Sequence, residues 1–262
     1  MREPSCLGPS DVVPHRRLCL AADMEQYSRL DTRTQSAVQA DLVRLLDEAA
    51  TLSGLDRATW ARQPQGDMEF AVLPEDTDST VLGAFVHHLS ACLESLNARQ
   101  AAQRVRLRLA VDAGVATDAA LGHAGPAPVA VARYVNAPPL KAVLAALTSA
   151  DLAVMVSDRL YQDVVRFGHP GLDPAQYVRV HVQVKEFGGY GWIRVPGHGP
   201  DGIRAAVDGV SEPLPSADVP VTRRTSLSQH VRQGVAVGRD VNGGLNVGLP
   251  ATPPQASPWR DW

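Results

Sequence analysis

The stretch Arg17-Leu18-Cys19-Leu20-Ala21-Ala22-Asp23-Met24-Glu25-Gln26-Tyr27-Ser28 decides how the rest of the chain is read. A short apolar run, over about 16–23, has the length and flanks of a buried strand and ends abruptly in a carboxylate. An acid at the exit of a buried strand sits where α/β folds place ligands, in the crevice outside the strand ends. Asp23 has two explanations. It is a helix-capping or turn aspartate, or it is a metal ligand. The second needs another carboxylate brought alongside by the fold, and Gly66-Asp67 offers one.

Outward from that run, Val38, Leu42, Leu45, Leu46 and Ala49 recur at helical spacing, which predicts a helix over about 32–53, with Gly54 as its stop. Residues 59–73 read as two strands around a tight turn, Gly66-Asp67 at its centre suiting a type II′ hairpin. The same geometry makes Asp67 an ordinary turn residue, and it confines Pro64 to an edge or a bulge. Asp76 and Asp78 precede a second helix carrying Val81, Leu82, Phe85, Val86, Leu89, Cys92, Leu93 and Leu96. His87 and His88 within it are adjacent, point in different directions and cannot form an i,i+4 metal pair.

Next, Val105, Leu107, Leu109 and Val111 alternate with Arg106, Arg108, Ala110 and Asp112, the pattern of a strand with one buried face ending at Asp112-Ala113-Gly114. Small, Gly/Pro-interrupted residues lead to a helix over Val129–Val135. Pro138 and Pro139 break it, and another begins with Leu140, Val143 and Leu144. Leu152–Val156 is an apolar strand, after which Ser157 caps a further helix. Val178, Val180, Val182 and Val184 alternate with polar residues and pair through a Gly-rich turn with Trp192–Val195. The order strand, helix, hairpin, helix, strand predicts an α/β sandwich of ferredoxin-like, palm-type topology. Its first strand is central and the hairpin lies beside it, so that Asp23 and Asp67 meet.

The ends of the chain differ from this body. Residues 1–15 read as a flexible leader, and 197–262 as a Pro/Gly-rich linker and tail, with a short Gly-punctuated β-hairpin at 231–248. Gly197-His198-Gly199-Pro200-Asp201-Gly202 fits the dinucleotide-binding spacing. It is set aside because Pro200 and the proline-rich continuation deny it the required helix and following strand.

Whole-chain properties narrow the classes. The chain has 262 residues, 45% of them hydrophobic and 20% charged, with a formal net charge of -3. That balance argues against a general nucleic-acid or anionic-membrane binder, while leaving room for a local basic pocket. The three cysteines are odd in number and share no metal-like spacing, pointing to a reducing compartment. No run approaches the roughly 18 apolar residues of a spanning helix. The N-terminus lacks a signal-peptide apolar region, so a cytoplasmic location is expected.

Ala22-Asp23-Met24-Glu25-Gln26-Tyr27-Ser28, Gly66-Asp67, Arg108 six residues before Gly114, Ala132-Arg133 and Val184-Lys185 come in the order and spacing of a known family. Over roughly 16–196 the chain resembles class III nucleotidyl cyclase catalytic domains. In that family the 3′-hydroxyl of a nucleoside triphosphate attacks its own α-phosphorus and pyrophosphate leaves. The resemblance makes Asp23 and Asp67 the ligands of two divalent metal ions, magnesium or manganese. It assigns Arg108 and Lys185 to the terminal phosphates and Arg133 to the transition state at the α-phosphate. It also implies a head-to-tail homodimer, with the aspartates from one subunit facing the arginine and lysine of the other.

Three positions depart from the pattern. Val129 stands where the family has an asparagine four residues before the transition-state arginine, and a valine side chain cannot hydrogen-bond a ribose. Gln63 stands at the lysine that reads adenine, and its partner falls on Gly122 or His123. Gln63 both donates and accepts, so it excludes no base. The polar Gln-x-x-Gly-Asp turn is similar to that of bacterial stand-alone cyclase-like proteins, including the pyrimidine cyclases of Pycsar anti-phage systems. That similarity implies a cyclic UMP or cyclic CMP product and a downstream effector. The departures favour a rival from another class, a catalytically silent cyclase-like domain that binds a nucleotide or a partner protein. A diguanylate cyclase is disfavoured because Gly66-Asp67-Met68-Glu69-Phe70 lacks the Gly-Gly-Asp/Glu-Glu-Phe hairpin.

Overall fold

A computed structural model describes residues 15–99 and 103–209. The expected leader and the 231–248 hairpin lie outside these residues, except His15, which begins the first strand. In chain order the strands and α-helices are β1 (His15–Met24), α1 (Thr32–Leu52), β2 (Ala61–Gln65), β3 (Met68–Val72), α2 (Leu82–Arg99), β4 (Leu107–Ala119), β5 (Gly122–Ala124), α3 (Pro126–Val135), α4 (Pro138–Ala146), β6 (Leu152–Ser157), α5 (Asp158–Asp163), β7 (Val178–Val184), β8 (Phe187–Arg194) and α6 (Pro200–Asp208).

The strands form one sheet in the order β2-β3-β1-β4-β6-β8-β7, with β5 folded back on β4. All pairs are antiparallel except β4 and β6, which are joined by a crossover through α3 and α4. The order β2-β3-β1-β4 is the ferredoxin-like arrangement expected, with β1 interior and the β2–β3 hairpin beside it. The chain is thus an α/β sandwich.

Successive residues of β1 face opposite sides. Leu18, Leu20, Ala22 and Met24 pack under α1 and α2, through Val38, Leu42, Leu45, Phe85 and Leu89 among others. Cys19 and Ala21 pack against α3 and α4, through Ala127, Val131, Leu140 and Leu144 among others. With helices on both faces an interior strand reads as a continuous apolar run rather than an alternation. β4 follows the same rule, correcting the one-faced strand expected to end at Gly114: Leu109, Ala110, Val111 and Asp112 are all buried, and pairing continues to Ala119.

Local chemistry explains the turns. Gly66 has φ +66°, and Asp67 is not among the positive-φ residues, as a type II′ hairpin requires. Pro64 sits on β2, at the sheet edge, where its missing N–H costs no interior ladder bond. Ser157 caps α5, its Oγ accepting from Leu160 N at 3.0 Å. Gly114 leaves room for a side chain crossing above it. A Cβ there would lie 2.5 Å from Nη2 of Arg159, which reaches over to the fully buried Asp112.

A second expectation needs correcting. The sequence predicts a linker from 197 onward, with Pro200 denying it a helix, yet Pro200–Asp208 is a helix that buries Ile203. Proline is well tolerated at the first helical position, where its N–H would be unpaired in any case. The glycine motif therefore does precede a helix, but no parallel strand follows it among the described residues.

Candidate active site

Asp23 lies at the next-to-last position of β1 and is 7% exposed. Its register partners are Arg108 on β4 and Met68 on β3. As a cross-strand neighbour on the same face, Arg108 donates through Nε to Asp23 Oδ2 at 2.9 Å, and through Nη2 to the same oxygen. The Arg108 side chain is 13% exposed, so it is not the solvated strand charge that alternation alone allowed.

Asp67 follows Gly66 in the β2–β3 turn, and its backbone carbonyl accepts from Met24 N at 3.1 Å. It is a turn residue and at the same time a neighbour of Asp23. Burial holds the Asp23 carboxyl above the ordinary carboxylate range, Arg108 opposes that shift, and the negative charge of Asp67 adds to it. Lys141 on α4 acts in the same sense as Arg108.

The nearby acids are committed elsewhere. Glu25 pairs at 2.5 Å with Arg106, which also donates to the carbonyls of Leu144, Leu147 and Ala150 beyond and within α4. Glu69 stands opposite Ala22, on the α1 face, where Arg57 grips both its oxygens at 2.6 Å.

Arg133 and Lys185 come together elsewhere. Arg133, on α3, donates to Glu186 at 2.9 Å, and its Nε is buried without a partner. Glu186 and Lys185 form the two-residue turn between β7 and β8, where Lys185 has φ +55° and is exposed. Among the described residues no hydrogen bond or ion pair joins Arg133 or Lys185 to Asp23 or Asp67.

A pocket of ≈ 260 Å³ opens between the hairpin and α3, lined by Gln63, Met68, Phe70, His123, Val129 and Arg133 among others. Gly122 is the residue that meets Gln63, since a Cβ there would fall 1.6 Å from Gln63 Nε2. His123 forms part of the wall, its ring centroid 6.3 Å from that of Phe70. Val129 is 50% exposed at the rim, an apolar side chain in a position open to solvent.

No protein-family model matches the chain, and no curated protein sequence does. Solved structures do. The adenylate/guanylate cyclase/hydrolase from Silicibacter pomeroyi superposes with a TM-score of 0.51 at 19% identity, covering 71% of this chain and 99% of that one. The guanylyl cyclase Cya2 gives 0.50 at 11% identity, covering 70% and 92%. The fold is that of class III nucleotide cyclase catalytic domains.

Within the cyclase fold, the Asp23–Asp67 pair fits a hard divalent cation. Both donors are carboxylates on adjacent elements, and the charge of Asp67 adds to the cost of ionising Asp23, a cost that a cation beside them would offset. No group of three or more His, Cys, Asp or Glu residues is assembled for a metal among the described residues. Two protein carboxylates suit magnesium, which keeps several water or phosphate oxygens in its shell.

Sequence reasoning missed Glu186 and Arg106, because neither pairing has a local signal. The partners lie 53 and 81 residues apart.

Proposed function

We propose that this chain is a metal-dependent nucleotide cyclase, converting a nucleoside triphosphate to a 3′,5′-cyclic nucleotide and pyrophosphate in a head-to-tail homodimer. The observation that carries this is the buried Asp23, placed by register against Arg108 and by the hairpin turn beside Asp67. Asp23 and Asp67 would hold two magnesium or manganese ions. When bound, such ions favour the ionised 3′-hydroxyl and neutralise charge on the phosphates.

The chain's own residues do the rest by position and charge. Arg108 and Lys185 bind the terminal phosphates, the former exchanging its contact with Asp23 for phosphate oxygens. Arg133 lies over the α-phosphate of the partner's substrate and stabilises the charge that develops there. Gln63, its amide against Gly122, reads the base within the pocket beside α3. We assign the substrate to the pyrimidine triphosphates, UTP or CTP, and the product to a cytoplasmic signal for an anti-phage effector. Both assignments follow the resemblance to Pycsar cyclases.

One assay tests the activity. Purified protein is incubated with manganese and each of the four ribonucleoside triphosphates separately, and 3′,5′-cyclic product is sought by mass spectrometry. Product from UTP or CTP supports both the chemistry and the base; product from ATP or GTP alone reassigns the base. A folded dimer that makes none is the silent, nucleotide- or partner-binding domain. Two observations favour that second outcome: Val129 offers no hydrogen bond at the pocket rim, and Glu186 occupies Arg133.

A further inference from the structure

Asp31 caps helix α1, its carboxylate accepting from Thr34 N at 2.9 Å. Its buried stripe, Val38, Leu42, Leu45, Leu46 and Ala49, faces the sheet. Gln35 and Gln39 lie one turn apart, so they share a side of the helix. Both reach across to backbone that leaves the site. Gln35 Nε2 donates to the carbonyl of Tyr27 at 3.4 Å. Gln39 Nε2 donates to the hydroxyl of Tyr27 at 2.7 Å and to the carbonyl of Gly66 at 3.0 Å.

Gly66 O and Asp67 O are the carbonyls on either side of Asp67. The first is held by Gln39 and the second by Met24 N at 3.1 Å. Asp67 is therefore fixed at both adjoining peptide units, and the direction of its Cα–Cβ bond is set with them. The hairpin has its own ladder from Ala61↔Val72 to Gln65↔Met68 and a glycine for its turn. The bond from Gln39, which is solvent-exposed, is not needed to close it. What it adds is aim.

We propose that Gln39 is a positioning residue for Asp67, with Tyr27 steadying its amide: α1 clamps the hairpin turn so that the Asp67 carboxylate stays beside Asp23. This rests on the metal role of the two aspartates given above. Gln39 touches neither substrate nor ion; it acts through the Gly66 carbonyl, and the orientation of a metal ligand by an outer partner affects affinity strongly.

The test uses the full chain, metal-free and without nucleotide. Gln39→Met keeps the length of the side chain and a good helix former but removes the donor. Manganese affinity is measured by electron paramagnetic resonance, and exchange of the Met24 amide, the one bonded to Asp67 O, by hydrogen–deuterium exchange. The expected result for Gln39→Met is manganese binding weaker on the order of tenfold. The Met24 amide should exchange faster while core amides of β1 and β4 and the melting temperature stay as in the wild type. Tyr27→Phe should change both readouts in the same direction by less, and Gln39→Lys, which restores a nitrogen donor, should recover Met24 protection.

Asp67→Asn is the control for the underlying assignment. If it weakens manganese binding while Gln39→Met leaves affinity unchanged, Gln39 does not position Asp67, and the metal role of the aspartates stands. A faster Met24 amide with unchanged affinity in Gln39→Met also overturns the proposal. If Asp67→Asn binds manganese like the wild type, the metal role fails and this proposal fails with it.

Discussion

The acidic and the basic residues of the candidate site are held in opposite ways. Asp23 is buried, paired across the sheet with Arg108, and neighboured by a turn that β1 and α1 secure. Arg133 and Lys185 lie at the surface side of α3 and on the β7–β8 turn, and the Arg133–Glu186 pair involves a glutamate that is 77% exposed. Water screens an exposed ion pair, so such a contact is weak and readily exchanged for another anion. The acidic residues are tied together within one chain; the basic ones lie towards the surface, Arg133 on Glu186, where the proposed partner's triphosphate would replace that glutamate. That contrast agrees with the two-subunit site proposed above.

The contrast breaks most visibly at the acids. Asp67→Ala should lower cyclic-nucleotide formation by several kcal/mol of transition-state stabilisation, about 10³-fold or more, by mass spectrometry of the product. A variant with near-wild-type turnover would remove Asp67 from the chemistry.

Mixing sharpens it next. Asp67→Ala and Arg133→Ala chains, each inactive alone, leave one intact composite site in every heterodimer. Random reassociation should restore about a quarter of wild-type activity, half the dimers being mixed and half their sites intact. Well-folded variants that co-assemble without complementing would place both halves of the site in a single chain.

Two smaller effects concern the pocket. Val129→Asn places a donor and an acceptor at its rim. A new hydrogen bond made in the transition state should raise kcat by about tenfold, the equivalent of roughly 1.4 kcal/mol. An unchanged kcat would mean that the apolar rim is not what limits turnover. Gly122→Ala must displace the Gln63 amide, because its Cβ would lie 1.6 Å from Nε2 and its φ is +117°. Relative kcat/KM among the four triphosphates should shift severalfold, since a moved amide changes which base edge is paired. Equal shifts for all four would show that Gln63 does not read the base.

Much of the fold was legible because its signals are local. The 3.6-residue period marked α1 and α2, and Gly66-Asp67 marked the β2–β3 turn. The alternation over 105–112 marked a strand but hid its depth: Arg106 and Arg108 look solvated in one dimension, whereas each is spent on a carboxylate or on helix carbonyls in three. Pro200 misled for a related reason. Proline breaks a helix from within but starts one well, and only the position of Ile203 against the sheet layer distinguishes the two cases.

By itself the sequence determined that the first buried strand carries an acid near its exit, that a hairpin carries a second acid at its turn, and that cations follow at cyclase-like spacing. These are properties of neighbours along the chain, fixed by side-chain period and turn chemistry. Tertiary structure decided that Asp23 meets Arg108, 85 residues away, that Gln39 reaches Gly66, and that Arg133 is drawn to Glu186 rather than to Asp23. Strand register and helix placement set those meetings, and they depend on burying both faces of the sheet at once, a condition no single stretch of residues can express.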